Sequence, residues 1–470
     1  MVFPTGIAGA AGGGPGAIPH SIGKFFRIRR PEAGGRAHSA GRYERSSREG
    51  EEIMTDVKWK FDTAVIHGAQ APGEWKSATL APIYQTAAHR FDTAEELSDV
   101  FAGKKAGFIY QRLRNPTNQV LEKRLSLLTG GLDTVVTGSG MAAINNAILA
   151  ICQAGDEIVS GNSLFMSTFL LFQNVFKKLG ITVKLVESAD LAAWKAAVTP
   201  KTKLLFVETI GNPKMDVPDI RALAKLAHAN RAPLIVDNTL ATPYLCLPIA
   251  EGADILVYST TKYFNGHGAA TGGAVIDAGR FDWPEDKYPD FKLFKERKGK
   301  LAYIDKVWRE IHINFGTTQS PFQSYLTLIG MDTLALRMER HMSNAVRVAK
   351  FLDKHPKVKW LNFPGLPKSP AYKTAKSLFG GKGFGALLTF GLENEKACFD
   401  FIRNVKLIYH LANLGDCKTL VIHPWSSQYV SFTEESRRAN GITPDLLRIS
   451  VGIEAIEDIL DDFDQALRAI

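Results

Sequence analysis

The sequence predicts an α/β protein, with a large domain around a mostly parallel sheet and a smaller α+β domain after it. Two patterns carry this reading. Between about Thr134 and Gly273, short apolar runs alternate with helical stretches. After about residue 312 the pattern changes to one long amphipathic helix with separate strands. The 470-residue length, with 45% hydrophobic and 22% charged residues, is enough for two sizeable cores.

The elements follow in chain order. Residues 1–53 are rich in Gly, Ala, Pro, Ser and Arg, and "AGAAGGGPG" (8–16) has nothing to pack, so the stretch is expected to be disordered. It has three readings: an upstream translation artefact with Met54 as the working start, an organelle-targeting peptide, or a true disordered tail. "DTVVTG" reads as a strand before the helical "MAAINNAILAICQAG". "DEIVSG" reads as a strand before a helical stretch ending "NVFKKLG". "TVKLVE", "LLFVETI", "PLIVDNT" and "DILVYST" continue the strands, with the helix "RALAKLAHANR" among them. In a parallel sheet built this way, ligands gather at the carboxyl ends of the strands. Further on, "TLALRMERHMSNAVRVAKFLDKHP" is the long helix, "VKWLNFPG", "GALLTFGL" and "LLRISVGIE" are strands, and "EKACFDFIRNVK" is a helix between them. No internal repeat is present.

Composition removes several function classes. No run reaches the roughly eighteen apolar residues of a membrane span, so no membrane role is expected. Cys152, Cys246, Cys398 and Cys417 form no C-x-x-C pair and read as reduced thiols in a reducing compartment, so a cytoplasmic protein is expected. The histidines are scattered too, so no metal site is expected. The net charge of +9 is carried partly by Lys24, Arg27, Arg29, Arg30, Arg36, Arg42, Arg45 and Arg48. No aromatic-interleaved basic helix accompanies it, so it reads as a mildly basic surface and not a nucleic-acid site.

Chemistry concentrates at the strand ends. "VVTGSGMAA" sets Ser139, Gly140 and Met141 at the start of a helix, where free amides attract anions. "VETIGNP" ends in Asn212, "IVDNT" carries Asp237, and "VYSTTK" carries Ser259, Thr261 and Lys262. Each alone is an ordinary turn residue, cap or snorkelling lysine. Asp237 and Lys262, however, lie about one β-α-β step apart and can meet at neighbouring strand ends. A lysine amine, an acid and a phosphate cradle are the parts that pyridoxal phosphate requires. Lys262, at a partly desolvated strand mouth, loses its proton more readily, which favours its use as a nucleophile and then a base.

From about Lys60 to Ile470 the chain resembles the Cys/Met-metabolism family of pyridoxal-phosphate enzymes, of fold type I. The matching stretches are "APIYQTAAHRF" (81–91), "YQRLRNPTN" (110–118), "GSGMAAI" (138–144), "VETIGNPKM" (207–215), "VDNT" (236–239), "STTK" (259–262), "LRMERH" (336–341), "NLGDCKTLVIHP" (413–424) and "LRISVGIE" (447–454). With the disordered extension at 1–53, the chain is expected to divide into an N-terminal segment contacting a neighbouring subunit (54–113), a cofactor-binding large domain (114–312) and a small domain (313–470). The resemblance implies that Lys262 forms the Schiff base and shuttles protons, that Asp237 pairs with the ring nitrogen, and that Asn212 bonds the ring hydroxyl oxygen. Ser139, Gly140, Met141, Ser259 and Thr261 would surround the phosphate. Tyr110 and Arg112 would reach the phosphate in the neighbouring subunit, which makes a dimer the minimal unit and a tetramer the usual assembly. Arg448 would clamp the substrate carboxylate, helped by Asn413.

One position departs from the family pattern. In "LFMSTF" (164–169), Phe165 stands where the family commonly has a tyrosine stacked on the cofactor ring. A phenyl ring still stacks, but it carries no proton. The stretches 410–424 and 441–460, with "FDW" (281–283), are most similar to O-acetylhomoserine sulfhydrylases. This implies γ-replacement of acetate by sulfide to give homocysteine, with an amino-acid substrate and sulfide or a thiol as partners. A cystathionine or methionine lyase, or a cystathionine γ-synthase, of the same family is the alternative.

Overall fold

The computed structural model describes residues 59–69 and 78–470. The expectations for residues 1–53 therefore lie outside the described residues. Seven strands form the large sheet: β1 (Asp133–Thr137), β2 (Glu157–Gly161), β3 (Thr182–Val186), β4 (Thr202–Glu208), β5 (Leu234–Asp237), β6 (Ile255–Tyr258) and β7 (Gly273–Asp277). Their spatial order is β1-β7-β6-β5-β4-β2-β3. Only β7 runs against the others, pairing antiparallel with both β1 and β6. All six strands read from the sequence are present. The seventh, β7, escaped because the glycine-rich turn after Lys262 hides its start.

The central strands are apolar along their whole length because both faces are covered. Leu204, Phe206, Ile235, Ile255 and Val257 enter the core on one face. Leu205, Val207, Leu234, Val236, Leu256 and Tyr258 enter the core on the other. The first face is closed by helix α1 (Gly140–Leu149) and by an aromatic stack in which Trp283 lies 4.0 Å from Phe291 and 5.2 Å from Tyr303. The "FDW" motif thus ends in a packing residue.

The second sheet holds β8 (Trp360–Asn362), β9 (Leu387–Gly391), β10 (Tyr409–His410), β11 (Leu420–Ile422) and β12 (Leu446–Ser450), in the order β10-β11-β12-β9-β8. Helix α2 (Leu334–Leu352) buries Leu334, Met338, Met342, Ala345, Val348, Ala349 and Leu352, a spacing of three and four that makes one apolar stripe. That stripe belongs to the same core cluster as the second face of the large sheet and as Leu388, Phe390 and Leu447 of the small one. One continuous core therefore holds the ends of β4–β6 against β12, and this fixes the site geometry. Among the described residues, no helix is long and apolar enough to cross a membrane, the four cysteines are free, and no acid, His and Cys cluster has metal-site geometry.

Candidate active site

Strand alternation sets the site. If the side-chain pattern of β4, β5 and β6 is continued to their ends, Glu208, Asp237 and Ser259 fall on the face covered by α1. Glu208 and Asp237 are direct cross-strand partners. Past β6 the chain winds into a tight turn, with the Lys262 amide on Ser259 O and the Gly266 amide on Lys262 O at 2.7 Å. This turn throws Lys262 back over the strand mouth. Its Nζ donates to Asn413 Oδ1 at 2.6 Å. Burial, and then the nearby Arg448 guanidinium, push the amine down from 10.5 to about 8. In the cofactor-free protein, reductive alkylation of Lys262 should follow a midpoint near pH 8, read by mass spectrometry of the labelled peptide. A midpoint near 10.5 would mean that the amine is solvated.

Arg448 sits in the middle of β12, where register places it opposite Thr389 and Ile422, and it is only 3% exposed. Burial brings it down to about 10, so it remains charged at neutral pH. Its Nη1 donates to Asn212 Oδ1 at 3.3 Å and its Nη2 to the Asn413 carbonyl at 3.1 Å. Its Nε is buried without a partner. A guanidinium has five donors, so this one has donors to spare. Lys262, Asn413, Arg448 and Asn212 thus form one connected chain of contacts.

Asp237 accepts the Thr239 amide at 2.9 Å, and burial nevertheless pushes its carboxyl up from 3.8 to about 6. The Thr239 hydroxyl in turn takes the Ser259 amide at 2.8 Å, tying the ends of β5 and β6 together. At the start of α1, the Ser139 hydroxyl caps the Ala142 amide at 3.1 Å. The Gly140 and Met141 amides precede any intrahelical acceptor. A Cβ on Gly140 would stand 2.7 Å from Ser259 Cβ, so only glycine lets the helix mouth approach β6 this closely. The Thr261 hydroxyl accepts the Gly272 amide at 3.0 Å and so braces the turn.

Two predicted residues stand apart. Tyr110 is 44% exposed, with the Arg112 guanidinium 5.8 Å above its ring. Arg112 donates to the Ile313 carbonyl at 2.6 Å, beside the exposed Phe315. Neither contacts Lys262 or Arg448 of the same chain. Phe165 is half-buried just before the short helix Met166–Leu170, and its amide donates to Glu208 Oε1 at 2.6 Å. Sequence reasoning passed over Glu208. The available signal was a carboxyl closing the apolar run "LLFVE", as Asp237 closes "LIVD". It also passed over Tyr429, which is buried near both Arg448 and Glu208.

The site combines a near-neutral amine, a buried acid, an amide cradle and a carboxylate-ready guanidinium. That set can bind an amino acid and move protons at its carbon atoms. The sequence matches the Cys/Met metabolism PLP-dependent enzyme family over residues 62–468. It is 40% identical over 433 residues to the O-acetyl-L-homoserine sulfhydrylase of Leptospira meyeri, covering 88% of this chain and 97% of that protein. It is 42% identical over 428 residues to the O-acetyl-L-homoserine sulfhydrylase of Corynebacterium glutamicum, covering 88% and 98%. Its fold superposes with a TM-score of 0.84 on a Campylobacter jejuni protein assigned as an O-acetylhomoserine (thiol)-lyase, at 31% identity over 87% of this chain and 100% of that one. That protein carries a pyridoxyl-lysine phosphate. The chain belongs to the Cys/Met metabolism PLP-dependent enzymes.

Proposed function

We propose that this enzyme is an O-acetylhomoserine sulfhydrylase, forming homocysteine and acetate from O-acetylhomoserine and sulfide. The relatives' activity supports the reading, and the observation that carries it is the Lys262–Asn413–Arg448 arrangement. It sets a low-pKa amine beside a buried guanidinium that has donors to spare.

The residues fit pyridoxal phosphate. Gly140 abuts Ser259 without room for a Cβ, which suits a phosphate held on backbone amides and the Ser139, Ser259 and Thr261 turn with Met141. Asp237 is a half-buried acid whose raised carboxyl suits a cationic partner, which a protonated ring nitrogen would supply. Asn212 would bond the ring hydroxyl, and Phe165 would stack on the ring. When bound, the cofactor acts as an electron sink for a carbanion at the substrate Cα.

The chain's own groups do the rest. Arg448, with Asn413, binds and orients the substrate carboxylate. Lys262 takes the proton from Cα, would hand it to the bound cofactor, and is then free as the amine to take one from Cβ. Acetate leaves Cγ, sulfide adds there, and Lys262 returns the protons to Cβ and Cα. The sum is one C–O bond broken, one C–S bond formed, and acetate released with the proton from hydrogen sulfide.

Tyr110 and Arg112 are proposed to act in the neighbouring subunit's site, which makes the dimer the minimal active unit. Their exposure away from Lys262 supports this. So do the exposed Phe322 and Ile329 on the helix Pro321–Asp332 and Leu336 at the start of α2.

The second reading is a carbon–sulfur lyase acting on cystathionine or methionine. Phe165 bears on both readings, because its phenyl can neither take a proton from incoming hydrogen sulfide nor give one to a departing thiolate. A product assay separates the two readings. Homocysteine that requires both O-acetylhomoserine and sulfide is the expected result. Keto acid and ammonia from cystathionine or methionine, with no sulfide-dependent homocysteine, would make the chain a lyase.

A further inference from the structure

Glu208 is the most unusual residue of the site. It closes β4 and is 7% exposed, and nothing in the proposed chemistry uses it. Burying a carboxyl is costly unless something in the structure takes advantage of it. Two contacts define its surroundings. Its Oε1 accepts the Phe165 amide at 2.6 Å, across a sequence gap of 43 residues. Phe165 heads a helix whose first turn has no side-chain cap of its own, so Glu208 is the group that anchors this backbone. Its cross-strand partner in the parallel ladder is Asp237, on the same face of the sheet.

We propose that Glu208 is a positioning residue of the cofactor site, joining the Phe165 backbone to the end of β5 so that the ring-stacking residue and the ring-nitrogen partner keep a fixed separation. The inference rests on the reading of Phe165 and Asp237 as residues that contact the cofactor ring. Burial, and then the charge of Asp237, push the Glu208 carboxyl well above the usual range, with Asp216 adding to the effect. This favours the neutral form of Glu208. In that form its oxygen still accepts the Phe165 amide, with no second negative charge beside Asp237. An aspartate is one methylene shorter and does not span the same gap. A lysine would pair with Asp237 and take it from the ring nitrogen.

The geometry makes a specific demand. Glutamine keeps the acceptor oxygen without a charge, whereas leucine keeps the bulk and loses the acceptor. The test titrates pyridoxal phosphate into cofactor-stripped wild type, E208Q, E208L, F165L and the double variant E208L/F165L. The readouts are the dissociation constant and the induced circular dichroism of the bound cofactor. E208L is expected to weaken cofactor binding about tenfold, the effect of one hydrogen bond that orders a binding segment, and to change the induced dichroism. E208Q should restore most of both. Because Glu208 acts through Phe165, E208L/F165L should bind no more than about threefold more weakly than F165L alone. E208T is polar and strand-compatible but too short to reach the Phe165 amide, and it carries the same expectation as E208L should the latter fold poorly. Wild-type binding in E208L and E208T overturns the inference. So do effects of E208L and F165L that multiply in the double variant. A wild-type protein that binds no pyridoxal phosphate overturns the underlying reading of the site instead.

Discussion

Replacing Lys262 with alanine is expected to lower kcat by about 10³-fold or more, because one amine serves as both the cofactor's attachment point and the proton carrier. The yellow colour of the purified protein should no longer be fixed by borohydride. Lys262→Arg should be nearly as inactive, since a guanidinium stays protonated where the lysine amine titrates near pH 8. The same variant tests the proposed subunit sharing. Arg112→Ala should also be impaired, because its guanidinium would no longer reach the neighbour's phosphate. Mixed and reassembled, the Lys262→Ala and Arg112→Ala variants should recover about a quarter of wild-type activity: half of the dimers pair one of each, and each of those has one intact site. Activity that stays at the level of the separate variants would place Arg112 outside the neighbour's site.

Replacing Asp237 with asparagine is expected to lower kcat about 10²-fold or more, because the ring nitrogen loses the anion that keeps it protonated and the electron sink weakens. Steady-state assays with saturating cofactor measure this directly. The stability of the cofactor-free protein should move the other way. The Asp237 carboxyl titrates near 3.8 when unfolded and near 6 when folded. The folded state therefore holds the proton more tightly. Below about pH 4 both states are protonated and the group costs nothing. Between about 4 and 6 the cost grows, and above 6 it is present in full. Asp237→Asn removes this titration. Its cofactor-free form should melt above wild type at pH 7, and the two should converge as pH falls towards 4. A variant that melts below wild type at pH 7 would show the carboxylate to be stabilised by a partner in the folded state. Bound cofactor should reverse the order, since its cationic ring nitrogen gives Asp237 the missing charge. The site thus trades stability of the empty protein for cofactor affinity.

Much of this was legible from residue order. The strand–helix alternation and the apolar runs "LLFVE", "LIVD" and "ILVY" predicted the sheet, because a strand covered on both faces must be apolar along its length. Asp237 and Lys262 could be placed at neighbouring strand ends from one β-α-β step, and β5 and β6 do pair. Glu208 was not legible in the same way. One polar residue at a strand end is common, and only the register pairing it with Asp237 and the reach of its carboxyl to Phe165 distinguish it. Strand β7 was missed because the glycine-rich turn after Lys262 hides its start, and only its pairing with β1 and β6 sets its antiparallel direction.

By itself, the sequence determined the layered α/β architecture, the lysine, acid and amide cradle at the strand ends, and the family to which these belong. Those features rest on local periodicity and on residue types whose chemistry is intrinsic. Only the tertiary structure decided that Arg448, 186 residues after Lys262 in the chain, shares a contact network with it through Asn413, and that both groups are buried enough to shift. It alone also decided that Tyr110 and Arg112 turn outward and that Glu208 holds the backbone of Phe165. The physical reason is that burial and long-range proximity belong to the packed core, where α2 and β12 close over the strand ends, and no window of sequence contains them.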